Sequence, residues 1–201
     1  VKGKGGHAAS PHLAIDPVVI SAQVISAVQT IISRSTDPVD KALISITKIK
    51  AGTAYNVIDD NVKMGGTIRT FRKETRSYIE QRLRELCKGI ANAHGAEIKI
   101  QFDLVNKYPP TINSKKESVF AANVAKDLVG EEKVITDIDP SMGGEDFSYL
   151  LEQKPGTYLY LGQGDDTHKA HLHTTKYDFN DNLLPVGVNF WVALVKKYFS
   201  K

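Results

Sequence analysis

Three of the six histidines, His168, His171 and His173, fall in Asp165-Asp166-Thr167-His168-Lys169-Ala170-His171-Leu172-His173. Imidazole is the commonest protein ligand for zinc, and carboxylates complete such sites, so metal binding is the chemistry these residue types suit. Spacing alone favours a plainer reading, a solvated polar loop, because HxH without further ligands is a weak signal. Elsewhere, Arg69 falls on the strand face opposite Val62, Met64 and Ile68. It suits bidentate binding of a substrate carboxylate, with a local salt bridge as the alternative. Gly143-Gly144, ahead of a helix expected from Glu145, offers backbone N–H groups and a positive helix end to an anion. Glu145 and Asp146 equally suit that helix end as first-turn acids. By type alone, Asn56 is a turn residue and His7 a turn histidine capping its glycines. Cys87 reads as a small core residue, and Phe190, Trp191 and Tyr198 as aromatic core packing.

The elements that must position these residues follow from periodicity. Asp16-Pro17 is an N-cap followed by proline at the first helical position, and Ile20, Val24, Ala27, Val28 and Ile31 recur at helical spacing, which predicts a helix from about 16 to 33. Ala42 to Lys50 and the run through Val62, Met64 and Ile68 predict two strands. Ile79, Leu83, Leu86, Cys87 and Ile90 form one apolar face of a helix over Lys73–His94, stopped by Gly95. The alternation of Ile98, Ile100, Phe102 and Leu104 with polar residues predicts a strand with one wet face. With Val1 to Lys4 as a first strand, the order is β-α-β-β-α-β, the ferredoxin-like split arrangement, over residues 1–110. Tyr108-Pro109-Pro110-Thr111 reads as an extended connector. Residues 111–201 then hold a helix near Glu117–Leu128, a short helix Glu145–Leu151, a strand Thr157–Leu161 and a terminal helix near Leu183–Phe199. One strand in that stretch suggests a share of a larger α/β sheet.

The 201 residues carry 41% hydrophobic and 24% charged residues, an ordinary globular composition with a net charge of only +3. Basic residues are interspersed with acids, which argues against a nucleic-acid partner and for a small-molecule one. No unbroken apolar run of membrane-spanning length appears, and a lone cysteine allows no internal disulfide, so a cytoplasmic protein with no membrane partner is expected.

Gly3-Lys4-Gly5-Gly6-His7-Ala8-Ala9-Ser10-Pro11-His12 with Ile15-Asp16-Pro17 resembles a segment of the aminoacylase, carboxypeptidase and hippurate hydrolase family of dinuclear metal-dependent amidohydrolases. Gly52 with Asn56-Val57-Ile58, Gly66-Thr67-Ile68-Arg69-Thr70, Met142-Gly143-Gly144-Glu145-Asp146-Phe147 and Leu172-His173 ahead of Asp178 keep the family's order. The look is closest to the subgroup of N-acyl amino acid and auxin-conjugate hydrolases.

That resemblance implies a lid and dimerisation domain at 1–110, followed at 111–201 by the C-terminal part of an α/β metallohydrolase catalytic domain. The family's N-terminal half, with its paired glutamates and most ligands, has no match here. It implies two zinc or manganese ions per complete site, with His173 the single ligand in this chain; His168 and His171 match no family ligand. It also implies His7 as a catalytic carbonyl-polarising group, a substrate contact from Asn56 and a homodimer through the lid; Arg69, Gly144 and Glu145 join the substrate-binding candidates on their own chemistry. Hydrolysis of N-acyl amino acid amides or C-terminal peptide bonds is the expected reaction of the parent, with the chain alone inactive. The alternative is a non-catalytic ferredoxin-like dimerisation or small-ligand-binding module.

Overall fold

The computed structural model describes residues 1–103 and 108–200. Helices and strands mix in an α/β chain that divides into two compact units, Val1–Pro110 with Met142–Glu145 and Thr111–Ser141 with Asp146–Lys201.

In the first unit, helix α1 (Pro17–Thr30) starts at Asp16, whose carboxylate accepts from the amides of Val18 at 2.8 Å and Val19 at 3.4 Å. These bonds satisfy donors that the first turn leaves orphaned. A single wide turn, Ile31–Ser35, extends it. Together they make 19 residues of mean hydropathy 1.3, enough by length and composition to cross a membrane. The apolar face is instead spent on the core, with Ile20, Val24, Val28 and Ile31 all buried. Helix α2 (Lys73–His94) matches its expected bounds and ends at Gly95, whose φ of 65° suits a residue without a Cβ. Its Ile79 and Cys87 join Val24, Val28, Ile31 and Ile44 in one cluster, against which Ile46, Met64, Ile68, Ile98 and Ile100 pack.

The sheet face beneath these helices is the antiparallel pair β2 (Ala42–Lys50) and β4 (Lys63–Thr70), in register from Ala42↔Thr70 to Lys50↔Lys63 with an irregularity between Ile46 and Lys48. A second, two-residue pair joins β1 (Gly6–His7) to β3 (Val57–Ile58). The N-terminal segment is bonded on both sides, since Lys2 bridges to Asn61 and to Glu97.

The strand expected from Ile98 to Leu104 does not form as a ladder over 98–103, and Leu104 lies outside the described residues. Lys2 and Glu97 exchange bonds of 2.7 and 2.9 Å, but Lys4 then pairs with Ile15, which leaves residues beyond Glu97 without a strand to continue against. The alternation itself survives, with Ile98, Ile100 and Phe102 half-buried between exposed neighbours.

The second unit consists of α3 (Lys115–Val129), α4 (Phe147–Gln153) and α5 (Leu184–Phe199) with long connections. Ala121 and Val124 of α3 are buried, and Phe120 meets Tyr198 edge-on at 6.2 Å. Two expectations are corrected here. Thr157–Leu161 forms no strand, because no described strand of this unit lies beside it; Asn113 instead grips Tyr158, accepting from its N–H at 2.7 Å and donating to its carbonyl at 3.0 Å. Two of the terminal aromatics are not core, since Trp191 is 63% and Tyr198 59% exposed, while Phe190 is half-buried. Helix α4 also starts two residues later than the expected Glu145, after Asp146.

Ile79 touches nothing but core, so Ile79→Ala should lower unfolding free energy by about 2–5 kcal/mol in urea titrations, and a loss under about 1 kcal/mol would show the cluster to be loosely packed.

Candidate functional site

The expected site residues of the first unit fall into two pairs. His7 and Asn56 are brought together by the short β1–β3 ladder, in which His7 stands opposite Val57 and the amide of Ala8 donates to the Asn56 carbonyl at 3.0 Å. Both side chains are exposed. The Nδ1 of His7 accepts from the amide of Ala9 at 3.1 Å. In the neutral ring this leaves the proton on Nε2, so the outward nitrogen is a hydrogen-bond donor. His7 is therefore both the turn histidine its spacing suggests and a group able to hold a carbonyl oxygen.

The glycines before His7 are required by close approach. A Cβ on Gly3 would strike the Ile15 carbonyl oxygen, and one on Gly5 would lie 2.7 Å from that of Ile58. The Gly5 amide also donates to the Asp60 carboxylate at 2.7 Å.

The second pair is Arg69 with Gly144. Arg69, opposite Leu43 in the β2–β4 register, is half-buried. Its guanidinium lies against the bare α-carbon of Gly144 and beside the ring of Tyr108. Among the described residues it makes no salt bridge. Glu145 is half-buried and belongs to the same unit. The helix-end reading of Gly143-Gly144 does not hold: α4 begins at Phe147, so neither glycine nor Glu145 sits in its first turn.

His173 lies in the second unit, exposed, with a left-handed φ of 63°, the one positive value outside glycine among the described residues. Such a conformation costs on the order of 1 kcal/mol or more and persists where its surroundings impose it. Beside it, the Thr174 hydroxyl donates to the His171 carbonyl at 2.8 Å and the Tyr177 amide to the Thr174 carbonyl at 3.2 Å. The flanking residues carry a hydrogen-bond network that sequence reasoning missed. The Oδ1 of Asp165 accepts from the amides of Thr167 at 2.8 Å and His168 at 2.7 Å, from the Thr167 hydroxyl at 2.9 Å and from His168 Nδ1 at 2.8 Å. Its Oδ2 accepts from buried Asn180 at 2.9 Å. Asn180 also donates to the Gln163 carbonyl at 3.2 Å, and Gln163 Oε1 accepts from the Tyr177 hydroxyl at 3.2 Å. The backbone donors of His168 and then Thr167 hold the Asp165 carboxyl far below the usual carboxylate range. The available signal was Asp two residues before Thr, the pattern of a side chain bonding its own backbone.

His168 is thus committed to Asp165, and His171 is exposed. No group of three or more potential ligands occurs among the described residues. A metal could meet His173 as one ligand, since its ring has no described partner, but this chain provides no described set around it.

Comparison with known proteins follows the same residues. Positions 5–197 match the family described as Peptidase family M20/M25/M40. A hippurate hydrolase of Campylobacter jejuni is 37% identical over 200 residues, covering 100% of this chain and 51% of its own length. An IAA-amino acid hydrolase of Arabidopsis thaliana is 35% identical, with 100% and 46% covered. Among solved structures, a putative aminohydrolase from methicillin-resistant Staphylococcus aureus superposes with a TM-score of 0.78 at 25% identity, covering 100% of this chain and 51% of its own. A dinuclear metal binding peptidase of the M20 family from Bacillus subtilis gives 0.68 at 28% identity, with 91% and 46% covered. The chain spans about half the length of the curated relatives it matches.

Because hydrogen bonds depress Asp165, the loop order it brings is present above the unfolded carboxylate value and lost as pH falls through the lower folded one. The Asp165 carboxyl carbon should therefore titrate by NMR well below the ordinary value of about 3.9, and Asp165→Asn should speed amide exchange at Thr167 and His168 roughly tenfold at neutral pH. An ordinary midpoint would contradict the network.

Proposed function

This chain belongs to peptidase family M20/M25/M40, and from that we propose that it forms one part of a metal-dependent amidohydrolase cleaving the amide bond of N-acyl amino acids or C-terminal peptide bonds. The observation that carries the reading is the placement of His7, its Nδ1 occupied by Ala9, opposite Val57 in the β1–β3 ladder, with the next amide, that of Ala8, bonded to the Asn56 carbonyl. Relatives named for hippurate, for IAA-amino acid conjugates, for N-acetylcysteine and as carboxypeptidases share acyl-amino acid chemistry, which supports the substrate class.

In this reading the Nε2–H of His7 bonds the scissile carbonyl oxygen as negative charge grows on it, so the contact strengthens toward the transition state. The side-chain amide of Asn56, in the turn just before β3, orients the acyl group. Arg69, which makes no salt bridge among the described residues, receives the substrate carboxylate, and Gly144 and Glu145 line the same place. His173 would hold one of two divalent ions, zinc or manganese, which when bound would supply Lewis-acid chemistry. The remaining ligands and the general base come from the other part of the catalytic domain.

The exposed apolar groups of the second unit support its membership of a larger domain. Leu159, Tyr160, Leu161, Val188, Trp191 and Val195 are too many large apolar side chains for a finished surface. Residues 1–110 act as lid and homodimer interface, supported by the outer edge of β2, for which no strand partner other than β4 is described. A monomeric whole protein in light scattering would remove that assignment. A cytoplasmic setting suits the unpaired, buried Cys87.

In the whole protein, His7→Ala should lower kcat by about 10²–10³-fold with little change in melting temperature, because the ring is exposed and makes one backbone bond. His173→Ala should instead lower metal content after dialysis, and full retention would strike it from the ligands.

A further inference from the structure

Gly144 and Arg69 are neighbours of an unusual kind. A methyl built on the Gly144 α-carbon would overlap Nη1 of Arg69 and approach its Cζ to 2.9 Å and the Tyr108 ring to 3.1 Å. The volume that any side chain at position 144 needs is the volume the guanidinium occupies. Gly144 has no positive φ, so backbone freedom does not explain the glycine. Close approach of a functional side chain does.

The clash has a soft side. Nη1 is the far end of a long, flexible side chain, held among the described residues by no hydrogen bond or ion pair. A methyl at position 144 would therefore be accommodated by swinging the guanidinium aside, with a small adjustment of Tyr108. The backbone of Met142–Glu145 would stay in place. Displacing a planar fork by a methyl's radius destroys its alignment with a planar carboxylate, because two parallel N–H bonds require both nitrogens in position.

We propose that Gly144 is a positioning residue for Arg69: its missing side chain is the seat of the guanidinium, and thereby sets the preference for acyl-amino acids bearing a free carboxylate. This rests on the reading of Arg69 as the carboxylate receptor. It assigns to Gly144 a role different from a backbone contact with substrate, one in which the absent Cβ is the functional feature.

The test is a set of variants of the whole enzyme assayed on N-benzoylglycine and on its carboxamide. Gly144→Ala should raise KM for the carboxylate substrate about ten- to a hundredfold, the range of a lost charge-assisted bond, with kcat and the carboxamide KM nearly unchanged. Arg69→Lys removes Nη1 itself, so adding Gly144→Ala in that background should change nothing further. Equal losses on both substrates, or an undiminished effect beside Arg69→Lys, would overturn the proposal. So would a large fall in the melting temperature of Gly144→Ala, because the proposal requires the flexible arginine to yield rather than the fold. Arg69→Ala separates the premise: if it leaves the preference for carboxylate over carboxamide intact, Arg69 is not the receptor. If it abolishes that preference while Gly144→Ala does not, the positioning role alone fails.

Discussion

The main-chain pairing of the first seven residues with residues 57–62 is the constraint on which the candidate site depends. The Val1 nitrogen donates to the Val62 carbonyl at 2.8 Å, and the Val62 amide donates back at 2.9 Å. Gly3 and Gly5 donate to the Asp60 carbonyl and carboxylate, and Gly6 then pairs with Ile58. At Gly3 and Gly5 a Cβ would strike the carbonyl oxygens of Ile15 and Ile58, so these two glycines precede the histidine for a steric reason. Once that path is set, His7 can only emerge beside Asn56.

The core beneath this pairing is conventional, and that suits its role. Two helices cover one face of β2–β4 with branched aliphatic side chains in a close-packed cluster, which fixes the strand ends from which the polar groups project. The second unit follows a different logic. There, apolar side chains remain at the surface while a carboxylate, an amide and a hydroxyl organise the loop that carries His173.

How much of this was legible beforehand depended on whether the signal was local. Helix α2 was readable to the residue because its apolar spacing and its Gly95 stop lie within one segment. Strand β2 was readable for the same reason, from a run of β-branched residues closed by Ala51-Gly52. Pairing is not local, so Ile98–Phe102 kept its alternation yet lost its ladder when Lys4 turned to Ile15. Thr157–Leu161 has strand composition and no described strand to pair with. The aromatic face of α5 was misjudged because large apolar residues on a helix signal burial against something, without saying that the something lies within the same chain. Of the site, the residue types were visible; that Asp165 and Asn180 organise the loop, and that Gly144 abuts Arg69, depend on contacts across many residues of sequence.

The central claim is that this polypeptide carries the substrate-handling groups and a single metal-ligand histidine of a site completed elsewhere. Equilibrium dialysis of the 201-residue chain against zinc, followed by atomic emission analysis, tests it most directly. The account predicts no stoichiometric zinc after exchange into a mildly chelating buffer, because one exposed imidazole without further ligands holds the ion only weakly. Tight one-to-one retention that disappears with His173→Ala would mean that the chain builds a complete metal site by itself, and would contradict it.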